Sequence, residues 1–388
     1  MKKILLFLTA ILTFTSFHTF AQYFIGHQSL TYIDSSRSNR SIATETYYPA
    51  TTAGETTPIA TGKFPVIIFG HGFAMTYDAY LYFADTMATL GYIVVLPTTE
   101  GSMLSPSHAN FGLDLAFLIN KMKMEGAKST SFFYNHVSAK SAVMGHSMGG
   151  GCSFLACQNN TAPTCMVTFA AAETNPKSSS AANYVSIPAL VLSGSADCVA
   201  PAATNQTLMY DSLASDCKVF LSITGAGHCY FGDNNTTCNM GELSCSHPLS
   251  RADQHDAILD FVKLYLNYYL KNNIASWSVF NDSLNTSPRI TFLESCLTTG
   301  GLQENNTYNE LTVWPNPSNN FITVHFNSSG VYELSVIDVL GKQVIEGKAG
   351  TSTGNTTQTI DISDLQKGLY FAQLKINGIF RYRKILKD

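Results

Sequence analysis

Between residues 22 and 297 the chain alternates short apolar runs with segments of helical spacing. Ala43 to Tyr48 alternates apolar and polar positions, as an early strand does. Phe64 to Phe69 is a continuous apolar run that ends in Gly70-His71-Gly72, the pattern of a buried strand entering a tight loop. Further strands are predicted at Tyr92–Leu96, Ser141–Gly145, Met166–Ala171, Ala189–Ser193 and Val219–Ile223. Helices are predicted at Tyr77–Leu90, at Asn110–Lys123, from Ser147 onward, at Thr204–Ala214 and at His255–Leu270. In the second of these, Phe111, Leu115, Leu118 and Met122 fall on one face. Uninterrupted apolar strands separated by helices need cover on both faces, so the expectation is an α/β fold with a doubly wound, mainly parallel sheet.

The pattern changes around residues 298–309, where Thr, Gly, Asn and Glu dominate and a linker is predicted. Residues 310–388 show no convincing helix. Strands are predicted at Phe321–Phe326, Tyr332–Val339, Gln343–Ile345, Thr357–Ile360, Tyr370–Ile376 and Ile379–Ile385, with Asn377-Gly378 as a hairpin turn. Six or seven short strands in this space suggest a small all-β, Ig-like sandwich. At the other end, Lys2-Lys3, an apolar stretch and Thr19-Phe20-Ala21 read as a signal peptide over residues 1–21. No later segment is apolar for long enough to span a membrane, so none is expected in the mature protein.

Composition narrows the function. Hydrophobic residues are 45% and charged residues 13% of 388, which excludes wholesale disorder and a coiled coil. Net charge is −4, carried as +2 over residues 1–21, −7 over residues 22–309 and +1 over 310–388, so no nucleic-acid footprint is present. All nine cysteines lie between Cys152 and Cys296. In an exported chain they imply disulfides, with at least one thiol left over. The rival is a metal site from Cys229, Cys238, Cys245, His228 and His247, but that spacing fits no common zinc pattern.

The strongest motif is Gly145-His146-Ser147-Met148-Gly149, which follows an apolar strand and opens a helix. A sharp turn there pushes the Ser147 hydroxyl outward and leaves the Met148 amide facing any developing negative charge. A neutral hydroxyl needs a base, and the base an orienting carboxylate, in the chain order serine, acid, histidine. Asp197 and His228 each follow an apolar strand in that order. The other histidines receive lesser roles: His71 and His146 belong to glycine turns, His255 to a helix start, and His108, His136 and His247 to polar, solvent-facing loops. The Phe73 amide, after Gly70-His71-Gly72, is placed to join Met148 in an oxyanion hole. Cys198 adjoins Asp197 and Cys229 adjoins His228, so a Cys198–Cys229 disulfide is expected between the two loops. Cys238–Cys245 is a weaker expectation across a short loop.

With these residues in view, the region 37–275 resembles the bacterial cutinase and polyester hydrolase branch of the α/β-hydrolase fold, which includes poly(ethylene terephthalate) (PET) hydrolases. The matching stretches include Tyr47-Tyr48-Pro49, Gly70-His71-Gly72-Phe73, Gly145-His146-Ser147-Met148-Gly149-Gly150-Gly151, Asp197-Cys198-Val199-Ala200-Pro201 and Gly225-Ala226-Gly227-His228. The resemblance implies a shallow cleft, without a lid, lined by Phe73, Met148 and Val199. Glu173 is counted with these substrate-binding residues. It lies in Ala171–Thr174, where family members often carry a tryptophan and this chain has no aromatic residue. The insertion Asp233 to Pro248 has no recognised counterpart. Residues 310–388 resemble a type A sorting domain of the type IX secretion system, through Trp314-Pro315-Asn316-Pro317, Asp338-Val339-Leu340-Gly341-Lys342 and the basic end Arg383–Lys387. This resemblance implies transit through the periplasm and delivery outside the cell by that machinery.

The expected activity is a secreted serine carboxylic-ester hydrolase acting on polyesters. The alternatives are a soluble-ester or lipid esterase, similar to chlorophyllase or platelet-activating-factor acetylhydrolase, and an inactive surface adhesin. A monomer is expected, and no cofactor, because the chemistry needs none; no ligand set stands out for a structural calcium.

Overall fold

The computed structural model describes residues 23–296, 311–338, 342–376 and 379–388. The signal peptide, the linker and the Asn377-Gly378 turn lie outside these. The described residues fall into two compact units, one ending at Cys296 and the other beginning after it.

The first unit is built on a ten-stranded sheet. In chain order its elements are β1 (Phe24–Asp34), β2 (Arg40–Ala50), β3 (Gly54–Glu55), β4 (Phe64–Gly70), α1 (Leu81–Thr89), β5 (Ile93–Pro97), α2 (His108–Ala127), β6 (Val137–His146), α3 (Met148–Cys157), β7 (Cys165–Phe169), α4 (Ser178–Ala182), β8 (Ala189–Gly194), α5 (Gln206–Ser212), β9 (Cys217–Ile223), α6 (Thr236–Gly241), α7 (Arg251–Lys271), α8 (Ile274–Thr286) and β10 (Ile290–Cys296). The spatial order is β10-β9-β8-β7-β6-β4-β5-β2-β1-β3. The six strands from β9 to β5 run parallel. Antiparallel β2 and β10 close the two sides of that block.

The continuous apolar strands are buried on both faces, as their sequence requires. One face packs Phe69, Val94, Met144 and Leu192 against α1, α7 and α8. The other packs Ile68, Val95, Val143 and Val191 against α2, α3 and α5. The mainly parallel, doubly wound sheet expected from the sequence is what forms. Several elements were not predicted. β1 alternates weakly and carries polar residues near the sheet margin, and α8 is rich in Ser and Asn. Two predicted helices begin with a tighter turn: Tyr77–Tyr80 before α1, and Ala202–Thr204 before α5.

The second unit is an antiparallel sheet of five strands: β11 (Leu311–Trp314), β12 (Phe321–Asp338), β13 (Gln343–Asp361), β14 (Gly368–Ile376) and β15 (Ile379–Lys387). Two predicted strands and the segment between them merge into β12, and the same happens in β13. Asn327-Ser328-Ser329-Gly330 reads as a turn, yet it pairs with Ser352–Asn355 along one continuous ladder. β12 pairs with β11 through its first part and with β14 through its last, so one long strand serves two neighbours. The sheet curls over a core of Ile322, Val324, Phe326, Leu334, Val336, Leu374 and Ile385. The predicted row of six or seven short strands is thereby corrected to one curled sheet.

Candidate active site

β6 delivers the chain to Ser147 and α3 leaves from it. Ser147 holds φ at 53°, a left-handed conformation that costs a non-glycine residue free energy. Packing enforces it. A side chain at Gly145 would collide with Gly149, and one at Gly149 would collide with the Gly70 carbonyl. Only glycine lets β6, α3 and the β4 loop come this close. The backbone is then tied down: Ser147 N–H donates to Phe169 O at 2.9 Å, and Ser147 O accepts from Gly151 and Ala172.

Asp197 follows β8 and His228 follows β9. Their loops are stitched together by Ser195 N–H to Ile223 O and Ala196 N–H to Ala226 O, both 3.0 Å. His228 Nε2 lies 2.9 Å from Ser147 Oγ, and His228 Nδ1 lies 2.7 Å from Asp197 Oδ2. The other carboxylate oxygen of Asp197 accepts from Val199 N–H at 2.9 Å and Ala200 N–H at 2.8 Å. All three side chains are buried. An ionised carboxylate only accepts, so Nδ1 carries the ring proton and Nε2 offers its lone pair to the serine hydroxyl. The arrangement can take a proton from Ser147 and hold the resulting imidazolium. The three candidates named from sequence therefore meet at the strand ends where this architecture collects its chemistry.

Residues 25–251 match the PET hydrolase-like family profile. The chain belongs to the PET hydrolase-like family. The match implies the α/β-hydrolase fold that the sheet displays. Curated relatives agree: Cutinase 1 of Thermobifida cellulosilytica is 25% identical over 48% of this chain and 68% of its own length. The cutinase of Thermobifida fusca (strain YX) is 25% identical over 48% of this chain and 59% of its own length. The bis(hydroxyethyl) terephthalate hydrolase of Streptomyces coelicolor is 25% identical over 52% of this chain and 59% of its own length. This chain thus spans roughly three fifths of the length of the last two. Residues 312–388 match a secretion system C-terminal sorting domain, which makes this an exported protein, extracellular or on the outer cell surface. Among the described residues no helix is long and apolar enough to cross a membrane.

The other predicted site residues of this PET hydrolase-like domain take varied positions. Phe73 and Val199 expose their side chains at 47% and 45%, while Met148 is buried. The loop bearing Phe73 touches the serine turn through the Gly70–Gly149 approach. The Glu173 carboxylate has a different occupation from the one expected. It accepts from Thr174 N–H, Ser178 Oγ and Ser179 N–H, which caps α4. Burial opposes its ionisation, but these donors prevail and hold its carboxyl below the usual range.

The disulfide expectations are corrected. Cys198 pairs with Cys245, Cys229 with Cys238, and Cys217 with Cys296. Neither Cys198–Cys229 nor Cys238–Cys245 forms, because the inserted segment 233–248 folds back against both loops and supplies a partner to each. Cys229, Cys238 and Cys245 are consumed as disulfides, which removes them from the rival metal site. Among the described residues no group of His, Cys, Asp and Glu is arranged to hold a metal ion.

Sequence reasoning passed over His146. It lies buried between the loops, with Nε2 at 3.1 Å from His228 O and Nδ1 at 2.9 Å from Tyr80 Oη. Tyr80 Oη accepts from Gly72 N–H at 2.8 Å. One consistent chain results: Gly72 N–H to Tyr80, Tyr80 O–H to Nδ1, and Nε2–H to the His228 carbonyl. Gln254 grips Gly227 through both its N–H and its carbonyl. His108 and His247, expected to face solvent, are engaged instead. His108 Nδ1 accepts from Asn175 N–H at 3.0 Å, and His247 packs edge-on against Tyr230.

Proposed function

We propose that this protein is a secreted serine carboxylic-ester hydrolase of cutinase type that acts on water-insoluble polyesters such as poly(ethylene terephthalate). The observation that carries the reading is the continuous Ser147–His228–Asp197 hydrogen-bond relay. Ser147 Oγ attacks the ester carbonyl carbon while His228 Nε2 takes its proton. The Phe73 and Met148 amides stabilise the tetrahedral oxyanion. The C–O bond then breaks, and His228 returns the proton to the leaving alkoxide. Water, deprotonated in turn by His228, attacks the acyl-enzyme and frees the acid. Asp197 holds the imidazole in the productive tautomer throughout.

A polymer substrate is supported by the apolar rim. Phe73 and Val199 stand exposed beside the site. Met240 and Leu243 are also exposed, on the segment that Cys245 bonds to the neighbour of Val199. A flat hydrophobic surface can lie on such a rim, whereas a small soluble ester gains little from it. The C-terminal unit we read as the address for type IX export, with no part in catalysis, and the enzyme as a monomer.

A second reading, a hydrolase of short soluble esters, is favoured by one feature. Ala171–Thr174 offers no aromatic ring for an aromatic acid unit to stack on. Amorphous poly(ethylene terephthalate) film and p-nitrophenyl butyrate, each incubated with wild type and with Ser147→Ala, separate the readings. Aromatic acid released from film by wild type alone supports the polyester assignment. Cleavage of the short ester without film products transfers the assignment to soluble esters. Unchanged ester cleavage by Ser147→Ala overturns both.

A further inference from the structure

We propose that Glu242, on the inserted segment 233–248, is a positioning residue that holds the base His228 in register with Ser147; the proposal rests on the reading of His228 as that base. The Glu242 side chain is nearly fully buried. Its Oε1 accepts from the backbone N–H of His228, and its Oε2 accepts from Cys229 N–H at 3.1 Å. His228 opens the short helical turn Cys229–Phe231. The carboxylate therefore occupies the donor end of the turn that carries the histidine.

The acceptor end is held by the opposite charge. Arg251 donates to the carbonyls of Cys229 at 2.7 Å, Gly232, and Asp233 at 3.2 Å, and to Asn239 Oδ1 at 3.2 Å. Its guanidinium lies 4.1 Å over the Tyr230 ring. Charged partners make stronger hydrogen bonds than neutral ones, and here an anion meets the N–H groups at one end of the turn while a cation meets the carbonyls at the other. The remaining ionisable neighbour of Glu242 is His247, whose Nε2 lies 3.6 Å from Oε2.

Two independent features point the same way. A Cβ at Gly227 would sit 2.6 Å from Glu242 Oε1, so the glycine before His228 is what admits the carboxylate. The segment also buries little of its own: α6 contributes no buried residue. Its attachment is mainly covalent and polar: Cys198–Cys245, Cys229–Cys238, Glu242, Arg251 on Asp233 and Asn239, and Asp233 on Ala79 and Tyr82. With His146 on its carbonyl and Glu242 on its N–H, the His228 backbone is gripped from both sides. The ring is left to Asp197 and Ser147. Removing the grip on one side lets the ring drift while the core stays packed.

The test uses the full chain with Glu242→Gln and Glu242→Ala, p-nitrophenyl butyrate as substrate, and a fluorophosphonate probe to count reactive serines. Misplacing a reacting group by about 1 Å costs on the order of 100-fold in rate. The expected result is complete labelling of both variants, with kcat per labelled site reduced about 100-fold in Glu242→Ala and about tenfold in Glu242→Gln, which keeps one acceptor. KM should stay within about twofold of wild type. Wild-type kcat per labelled site in Glu242→Ala, with or without fewer labelled sites, would overturn the proposal. A raised KM at unchanged kcat, or a Glu242→Gln that fails to fold, would do the same. A wild-type protein inert to both probe and ester would instead overturn the reading of the site itself.

Discussion

The serine turn and the histidine loop reach the same precision by different physics. Ser147 is fixed by backbone packing. Gly145 and Gly149 let three backbones touch, and no neighbouring side chain has to be in the right rotamer for Ser147 to be strained outward. His228 is fixed by side chains. Asp197, His146, Gln254, Glu242 and Arg251 each bond the ring or the adjacent backbone, and two disulfides hold the segment behind them. The first device fails all at once when a methyl group is added. The second is distributed and should fail in steps. The geometry of Ser147 is thus a property of the sheet, and the geometry of His228 a property of what has been attached to it.

The sharpest break is at Ser147, the nucleophile we propose. Ser147→Ala should lower kcat/KM on p-nitrophenyl butyrate by at least about 10⁴-fold without altering Tm, because nothing else in the relay can attack a carbonyl. Next comes Gly149→Ala. The added methyl meets the Gly70 and His71 carbonyls, which are backbone and cannot swing aside. Overpacking of this kind costs about 1–3 kcal/mol, so thermal unfolding should move down by about 3–10 °C, and activity should fall with it. A Gly149→Ala variant with wild-type Tm would remove the claim that backbone contact sets the serine turn. On the histidine side, Arg251→Met should keep most of the esterase activity at low temperature but lose it several degrees below wild type, since three carbonyls lose a charged donor together, while Gly232 N–H and His255 Nε2 still reach two of them.

The same contrast explains what could be read from the chain before its structure. The serine turn is written in residue types: glycines at fixed offsets, after an apolar strand and before a helix, leave few other arrangements. Asp197 and His228 were legible for a related reason, since each ends an apolar run that has to be a buried strand. The clamp on His228 was not. An acidic residue in a polar, aperiodic stretch such as Asp233–Pro248 reads as solvated, and nothing in the spacing of Cys229, Cys238 and Cys245 says which way the segment folds. The disulfides were misassigned for that reason alone: proximity of Cys198 to Cys229 was inferred from their neighbours, but the segment came between. His146 was passed over because it stands at the variable position of its motif. In the second unit the long strands β12 and β13 hide behind Ser, Thr, Asn and Gly, residues that favour turns locally but are carried into the ladder by pairing along its whole length.

The smallest expected effect tests the buried link between the two loops. Burial, the field of His228 and its own bond to the His228 carbonyl act together on His146; the first two depress its pKa well below the usual histidine value and the third only partly restores it. Burial depresses His71 in the same direction. Both are neutral in the folded protein at a pH where the unfolded chain, titrating near 6.5, already binds protons. The unfolded state therefore holds more protons as pH falls through about 6.5, and stability must decline with acid across that window and below it. The urea midpoint should be flat from pH 8 to 7 and fall between pH 6.5 and 5. His146→Gln keeps a donor for the His228 carbonyl and cannot ionise. It should show a shallower fall over the same range, leaving the contributions of His71, His108 and His255, which burial also depresses, with Ser147 still reactive toward a fluorophosphonate. An unchanged slope in His146→Gln would show that the histidine linking the β4 loop, the serine turn and the histidine loop is not held neutral by the fold.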